Sequence, residues 1–543
     1  MSGAAAGTTA GPGASPPVGY AQLWRADPGA WIAAGVAWRG LDAPVRRRAD
    51  GLDARAAALR SGWSGGAATA ARGRIGGLRG ALTDVLPALI EVDQVLAEFA
   101  ARLGAAKARL AAAVAHADAG GVLVDRAGAV RPDPAHPRDR LGPTQAQVAA
   151  EVRGALALAG AADREAATRL GELSTAAATG WVSVPPAGRP SPGAGPVEAS
   201  RWWAGLTPAE RRWLVGHEPA RIGRLDGVPV AARDQANRLL LAGRREELLA
   251  RRRRLLAPLP AGPAELARVA RLARVDAALR GLDALGRRLA APGPPRAYLL
   301  GLDPAGDGRT VVALGNPDRA GAVLTYVPGT GTDLADAPGE LGRAARVLGR
   351  CAALDPGAEA AAVLWLDYDA PDALPEATRS RQAEDAGPAL HRFQEGLRAS
   401  HEGPPARQTV LGHSYGSVVV GIAARDHGLS ADALVFVGSP GVGVEHAGEL
   451  RMPPGQVWVS TAPDDVIRLA RPPEELARRA MLAGTPFGPA AAALHGHELW
   501  FGRDPSDPGF GARRFPSGRY GHSGYWEPGN PALDGMARIM LGR

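Results

Sequence analysis

Two spacings of apolar residues divide this chain. In the first half they recur every three or four positions. In the second half they gather into short continuous runs separated by glycine, proline and charge. From Ile75 the first pattern runs through Leu78, Leu82, Val85, Leu89, Val92, Leu96, Phe99, Leu103, Ala106 and Leu110. That spacing predicts a long helix with a coiled-coil-like seam, and Pro87 should bend it. Trp38, Leu41, Val45, Leu52 and Leu59 offer a preceding helix at the same spacing. Gly62-Trp63-Ser64-Gly65-Gly66 lies between the two and predicts the turn of a helical hairpin. A further helical stretch spans 141–178. Prolines 185, 186, 190, 192 and 196 then mark a linker.

Past Pro292-Gly293-Pro294-Pro295 the pattern changes. Apolar runs begin at Ala297, Ala322, Thr409, Ala433 and Gln456, with helix-competent segments among them. Such runs read as strands buried on both faces, which predicts a mostly parallel sheet with flanking helices. The expected organisation is a disordered tail (1–19), a helical hairpin or bundle (20–180) and a Pro/Gly-rich linker (181–198). A helical region that packs on or covers the next domain (199–295) and an α/β domain (296–543) follow. Its expected class is α/β, preceded by an all-α region. Trp202, Trp203 and Trp213 either bury a helix on that domain or line a lid over it.

Composition narrows the partners. The 543 residues carry a formal charge of +8. Lysine occurs once, at Lys107, so the basic charge is almost all arginine in a chain rich in alanine, glycine and proline. Arg251-Arg252-Arg253-Arg254 follows Glu246-Glu247 in a helical run and reads as a solvated face. No aromatic residues interleave with it as a stacking platform for bases requires, so no nucleic-acid partner is expected. Cys351 is the only cysteine, which excludes an internal disulfide and a cysteine metal cluster. It should be buried on a helix near 340–354. No long apolar run predicts a membrane span, and the N-terminal residues lack the pattern of a Sec-type signal peptide.

The densest chemical signal is Gly412-His413-Ser414-Tyr415-Gly416. A strand-like run precedes it and a helix-competent run follows. That is the setting of a nucleophile elbow, where a tight turn lifts the serine hydroxyl above the sheet. A serine needs a base, and the base needs an acid to orient it. The acid should follow a later strand. Thr461-Ala462-Pro463-Asp464-Asp465 does so, with Asp465 preferred and Asp464 the alternative. The member of the pair not used is expected to cap a helix starting near Val466. The base should lie on a late loop, and His522 fits. His495 and His497 compete, and their spacing lacks the further ligands a metal would need. His413 is expected to pack away from the nucleophile. An oxyanion hole is expected from the N–H of Tyr415 and from Thr330 or Gly331, in the glycine-rich loop after the Ala322 strand.

These segments together resemble an α/β-hydrolase. More narrowly, the stretch from about 200 to 543 is similar to an actinobacterial α/β-hydrolase family of unknown function. The resemblance rests on Val327-Pro328-Gly329-Thr330, the elbow with Ser417, Val437-Gly438-Ser439-Pro440-Gly441-Val442-Gly443, Phe510-Gly511-Ala512-Arg513-Arg514-Phe515 and His522-Ser523-Gly524-Tyr525. Trp202-Trp203-Ala204-Gly205-Leu206-Thr207 and the segment from Ile222 to Pro229 also carry it. It implies the triad Ser414, Asp465 and His522, and it implies no substrate. The expected function is a serine hydrolase acting on a small-molecule ester or acyl substrate, with no metal or organic cofactor. The helix–turn–helix around Trp63 resembles the WxG hairpins of type VII secretion systems. That resemblance implies a secretion-linked interaction protein or toxin, with a type VII-like route as the alternative to the cytoplasm. A plain hairpin that forms a homodimer or binds a helical partner fits the same residues.

Overall fold

The computed structural model describes residues 18–134, 144–181, 183–191, 193–257, 264–453, 455–470 and 498–543. The expected disordered tail lies almost wholly outside them, and His495 and His497 lie outside them altogether. The chain forms two compact units, one of residues 1–39 with 92–180 and one of residues 40–91 with 181–543. The expected 20–180 bundle is therefore divided. Leu86 and Ile90 explain why, because they share a core with Trp203, Leu214 and Ile222 of the larger unit.

In the smaller unit the seam finds a partner other than the expected one. Leu103, Ala106 and Leu110 pack in one core with Val148, Val152, Ala155 and Ala159 of the Gln145–Ala178 helix. Thr144 caps that helix, accepting from the N–H of Gln147. Near the expected turn, Trp38, Leu41, Trp63 and Leu78 are exposed. A period of three and four residues shows that a helix has a buried face, without naming what covers it. The Gly66–Ala119 helix runs unbroken through Pro87.

The larger unit is built on an eight-stranded sheet. Its strands, numbered along the chain, are β1 (Ala297–Asp303), β2 (Arg309–Leu314), β3 (Ala322–Val327), β4 (Ala360–Leu366), β5 (Arg407–His413), β6 (Ala433–Val437), β7 (Val457–Ser460) and β8 (Arg513–Arg514). Their order across the sheet is β8-β7-β6-β5-β3-β4-β2-β1. All neighbours are parallel except β4 with β2 and β2 with β1. Every residue of β3 and β6 is buried. Alternate residues serve opposite faces, as the strand period requires. Val323, Val327, Leu434 and Phe436 join one core, and Leu324, Tyr326, Val435 and Val437 the other. Cys351 is buried on the Ala337–Leu354 helix in the second core. The chain passes from β3 to β4 on one side and then crosses back to β5 on the other side of β3. Ligands of open α/β sheets bind at the carboxyl ends of strands where the order reverses in this way.

The Val230–Leu256 helix closes the sheet at β1 through buried polar groups. Asp234 accepts from the N–H of Leu299 at 2.8 Å and pairs with Arg238 at 2.7 Å and Arg296 at 3.0 Å. Asn237 donates to the carbonyls of Gly223 and Leu299. Arg238 donates to Ala297 O. Trp203 is buried against Leu214 and Ile222 and does not form a lid. Asp234→Ala would take a shared carboxylate from Arg238 and Arg296 and the acceptor from a strand N–H, and its expected cost is about 3 kcal/mol. Urea unfolding of the purified variant measures it.

Candidate functional site

Ser414 stands between β5 and the Tyr415–His427 helix, with φ 53° and ψ −129°. Side chains other than glycine rarely adopt such angles. The turn holds the residue there. Its N–H donates to Val437 O on β6, and its carbonyl accepts from Ser417 N–H. The flanking glycines are required by contact. A Cβ at Gly416 would lie 2.2 Å from Val327 O, and one at Gly412 would lie 2.6 Å from Ser417 Cα. Gly329 is pressed just as closely, since a Cβ there would lie 2.7 Å from that of Ser414.

Three elements converge on the hydroxyl. Asp465 comes from the loop after β7, and His522 from the loop before a short Gly524–Trp526 helical turn. His522 Nε2 lies 3.0 Å from Ser414 Oγ, and His522 Nδ1 lies 2.8 Å from Asp465 Oδ1. Asp465 is buried and accepts two further bonds, from Tyr525 OH at 2.5 Å and from Ile467 N–H at 2.8 Å. Burial pushes its carboxyl upward, but the bonds from His522, Tyr525 and Ile467 outweigh burial and leave it below the usual carboxylate range. An ionised Asp465 only accepts. The neutral imidazole therefore carries its proton on Nδ1 and turns the lone pair of Nε2 toward the serine.

Adjacent Asp464 is exposed and accepts from Gly521 N–H at 3.2 Å, on the turn just before His522. The two aspartates do not split orientation and capping between them. Asp465 both holds His522 and caps the Val466–Leu469 turn. Gly438, at φ 56°, makes room for the pair, because a Cβ there would lie 3.0 Å from Asp465 Oδ2 and 3.2 Å from the His522 ring.

His413 departs from expectation. Its ring faces that of His522 at 4.9 Å, and its Nε2 lies 2.9 Å from His522 O. A carbonyl only accepts, so Nε2 carries the proton and fixes the histidine's backbone. Burial, then the neighbouring His522 and Arg343, push its pKa down to about 3. Tyr525 joins the site without a motif of its own. Its hydroxyl donates to Asp465 and accepts from Ala462 N–H at 2.9 Å. An aromatic residue three positions after the candidate base was its only signal.

Gly331 is not available as an oxyanion donor. Its N–H donates to Pro371 O at 2.8 Å. Thr330 lines the cavity over Ser414. Tyr415 is the first residue of its helix, so its N–H has no acceptor within that helix. The cavity holds about 650 Å³, and among the described residues none of its lining comes from 199–295. Among the described residues, no cluster of His, Cys, Asp and Glu is arranged to hold a metal ion. No helix among them is long and apolar enough to cross a membrane.

A family profile described as alpha/beta hydrolase matches residues 303–475, a span that contains Thr330, Ser414 and Asp465. The uncharacterized protein Rv0963c of Mycobacterium tuberculosis is 34% identical over 198 residues, which cover 34% of this chain and 73% of that protein. The chain belongs to the alpha/beta hydrolase family. The uncharacterized protein Rv2079 of the same organism is 32% identical over 379 residues, covering 65% of this chain and 56% of that protein. The chain thus spans little more than half the length of that relative. Among solved structures, S-formylglutathione hydrolase FrmB of Staphylococcus aureus aligns over 46% of this chain and 98% of its own, with 10% identity and a TM-score of 0.25.

Proposed function

We propose that this chain is a serine hydrolase of carboxylic esters. The observation that carries the reading is the hydrogen-bonded line from Ser414 through His522 to a buried Asp465. Ser414 Oγ attacks the ester carbonyl carbon while His522 Nε2 takes its proton. Asp465 holds the imidazole in the required tautomer and stabilises the imidazolium. The N–H groups of Tyr415 and Thr330 receive the oxyanion, helped by the positive end of the Tyr415–His427 helix. His522 then protonates the leaving alcohol. Water, deprotonated by the same histidine, releases the acid from Ser414.

A fluorophosphonate probe tests this reading, because it bonds to an activated serine. Labelling of the wild type and not of Ser414→Ala is the expected result. Equal labelling of both, or of neither, would defeat it.

Tyr525 enters as a positioning residue. In Tyr525→Phe, Asp465 loses one donor and the Ala462 N–H loses its acceptor, at a cost of about 1–2 kcal/mol in stability. The Asp465 carboxyl should move up toward its ordinary value, since a bond that holds it down is gone. Turnover should fall while KM holds, because the carboxylate that orients His522 has lost a tether. Separate measurement of kcat and KM detects that split, which a merely structural role would not produce.

A further inference from the structure

The segments that line the Ser414 cavity differ in chemistry. Leu374, Val466, Ile467, Leu469 and Trp500 supply apolar side chains. Three of these are strongly exposed, Leu374 at 68%, Val466 at 68% and Leu469 at 75%. Large aliphatic residues grouped and exposed around one cavity mark a binding surface more often than chance exposure. The start of the Ala337–Leu354 helix contributes Asp336, Glu340 and Arg343 to the same lining. Arg343 is fixed there, bonded to both oxygens of Glu340 at 2.8 and 2.9 Å and to Tyr326 OH at 3.3 Å. Its guanidinium also lies 5.0 Å from the Trp526 ring centre. Ser414 and His522 line the same cavity. Its volume lies within the roughly 300–1,000 Å³ range of small-molecule sites.

We infer that the substrate is an amphiphilic carboxylic ester with one apolar arm, seated on Leu374, Val466, Leu469 and Trp500, and one polar arm toward Asp336, Glu340 and Arg343. This rests on the hydrolase reading above. Apolar burial carries the selectivity. Each methylene buried on these apolar side chains is worth up to about fourfold in kcat/KM.

Two series of esters test the inference with the full chain, one graded in acyl length on a fixed alcohol and one graded in alcohol length on acetate. The expected result is a rise of about tenfold or more in kcat/KM from two to eight carbons in one series. In Leu374→Asp and in Leu469→Asp that rise should shrink toward nothing. Both side chains are exposed, so these variants should fold. A rise that survives in both variants overturns the assignment of the apolar arm to these side chains. Flat responses in both series, from a protein that turns over short esters and labels at Ser414, overturn the substrate class and leave the hydrolase reading standing. Absence of both labelling and turnover overturns the two together.

Discussion

Ser414→Gly is expected to abolish ester turnover and, at the same time, to raise stability. Loss of the hydroxyl removes the nucleophile, and only binding and the oxyanion donors remain. In serine hydrolases whose triad residues act as a unit, that loss costs about 10⁴–10⁶ in kcat. The gain comes from the backbone. Ser414 is held at φ 53° and ψ −129°, a conformation that costs a non-glycine residue about 1–3 kcal/mol. Glycine adopts it freely, but returns part of the gain through the greater entropy of its unfolded chain. The expected net gain is about 1 kcal/mol. Ser414→Ala separates the two effects. It should lose the same activity and keep the wild-type midpoint, because its Cβ retains the backbone cost. Thermal or urea unfolding of the three proteins, alongside kcat, checks both parts. If Ser414→Gly were no more stable than Ser414→Ala, the elbow would store no backbone energy.

The elbow was legible because several local rules coincide there. A buried strand reads as a continuous apolar run, and two glycines mark positions where a Cβ would collide with Val327 O and Ser417 Cα. The class of the sheet was legible for the same reason, since β6 is apolar throughout and β3 is broken only by Thr325 and the hydroxyl of Tyr326. Other parts depend on contacts between distant segments, which local pattern does not encode. Asp464 and Asp465 are chemically identical neighbours. Only the path of the loop buries one beside His522 and leaves the other outside on Gly521 N–H. Gly331 looked as suitable a donor as Thr330, but Pro371, from a loop without a strand or helix signature, takes its N–H. His413 shares a pentapeptide with Ser414, yet its role comes from a carbonyl 109 residues later. The helical seam met a second partner from farther along the chain. The helix before the turn keeps Val45 against the core of Leu86 and Ile90 and pairs Asp53 with Arg79 at 2.7 Å. The seam's later positions pack on the Gln145–Ala178 helix, and its earlier ones lie near an exposed turn.

His413→Gln should remove the histidine's share of the pH dependence of stability between about 6.5 and 4. In the unfolded chain His413 binds a proton below about 6.5. In the fold it is buried beside His522 and Arg343, and its pKa is pushed down to about 3. Between those values the unfolded state holds more protons, so stability is complete above about 6.5 and falls as the pH falls. The slope is up to about 1.4 kcal/mol per pH unit. Asp465 acts in the same direction but lower. Its depressed carboxyl contributes stability above the unfolded value of about 3.9, and that contribution is lost below it. Asp318 opposes them. It is buried and accepts from Val230 N–H and Ser400 OH, and burial pushes its carboxyl up to about 7. Its contribution is present at acid pH and lost as the pH rises toward 7. The wild-type curve therefore sums opposing slopes, and a flat profile alone would decide nothing. Subtracting the His413→Gln curve from it isolates the histidine. Glutamine has an amide N–H to offer His522 O and does not titrate. The difference should grow as the pH falls from 6.5 to 4, reaching several kcal/mol. Urea unfolding at half-unit pH steps gives both curves. A difference constant across that window would mean that His413 titrates alike in the folded and unfolded chains.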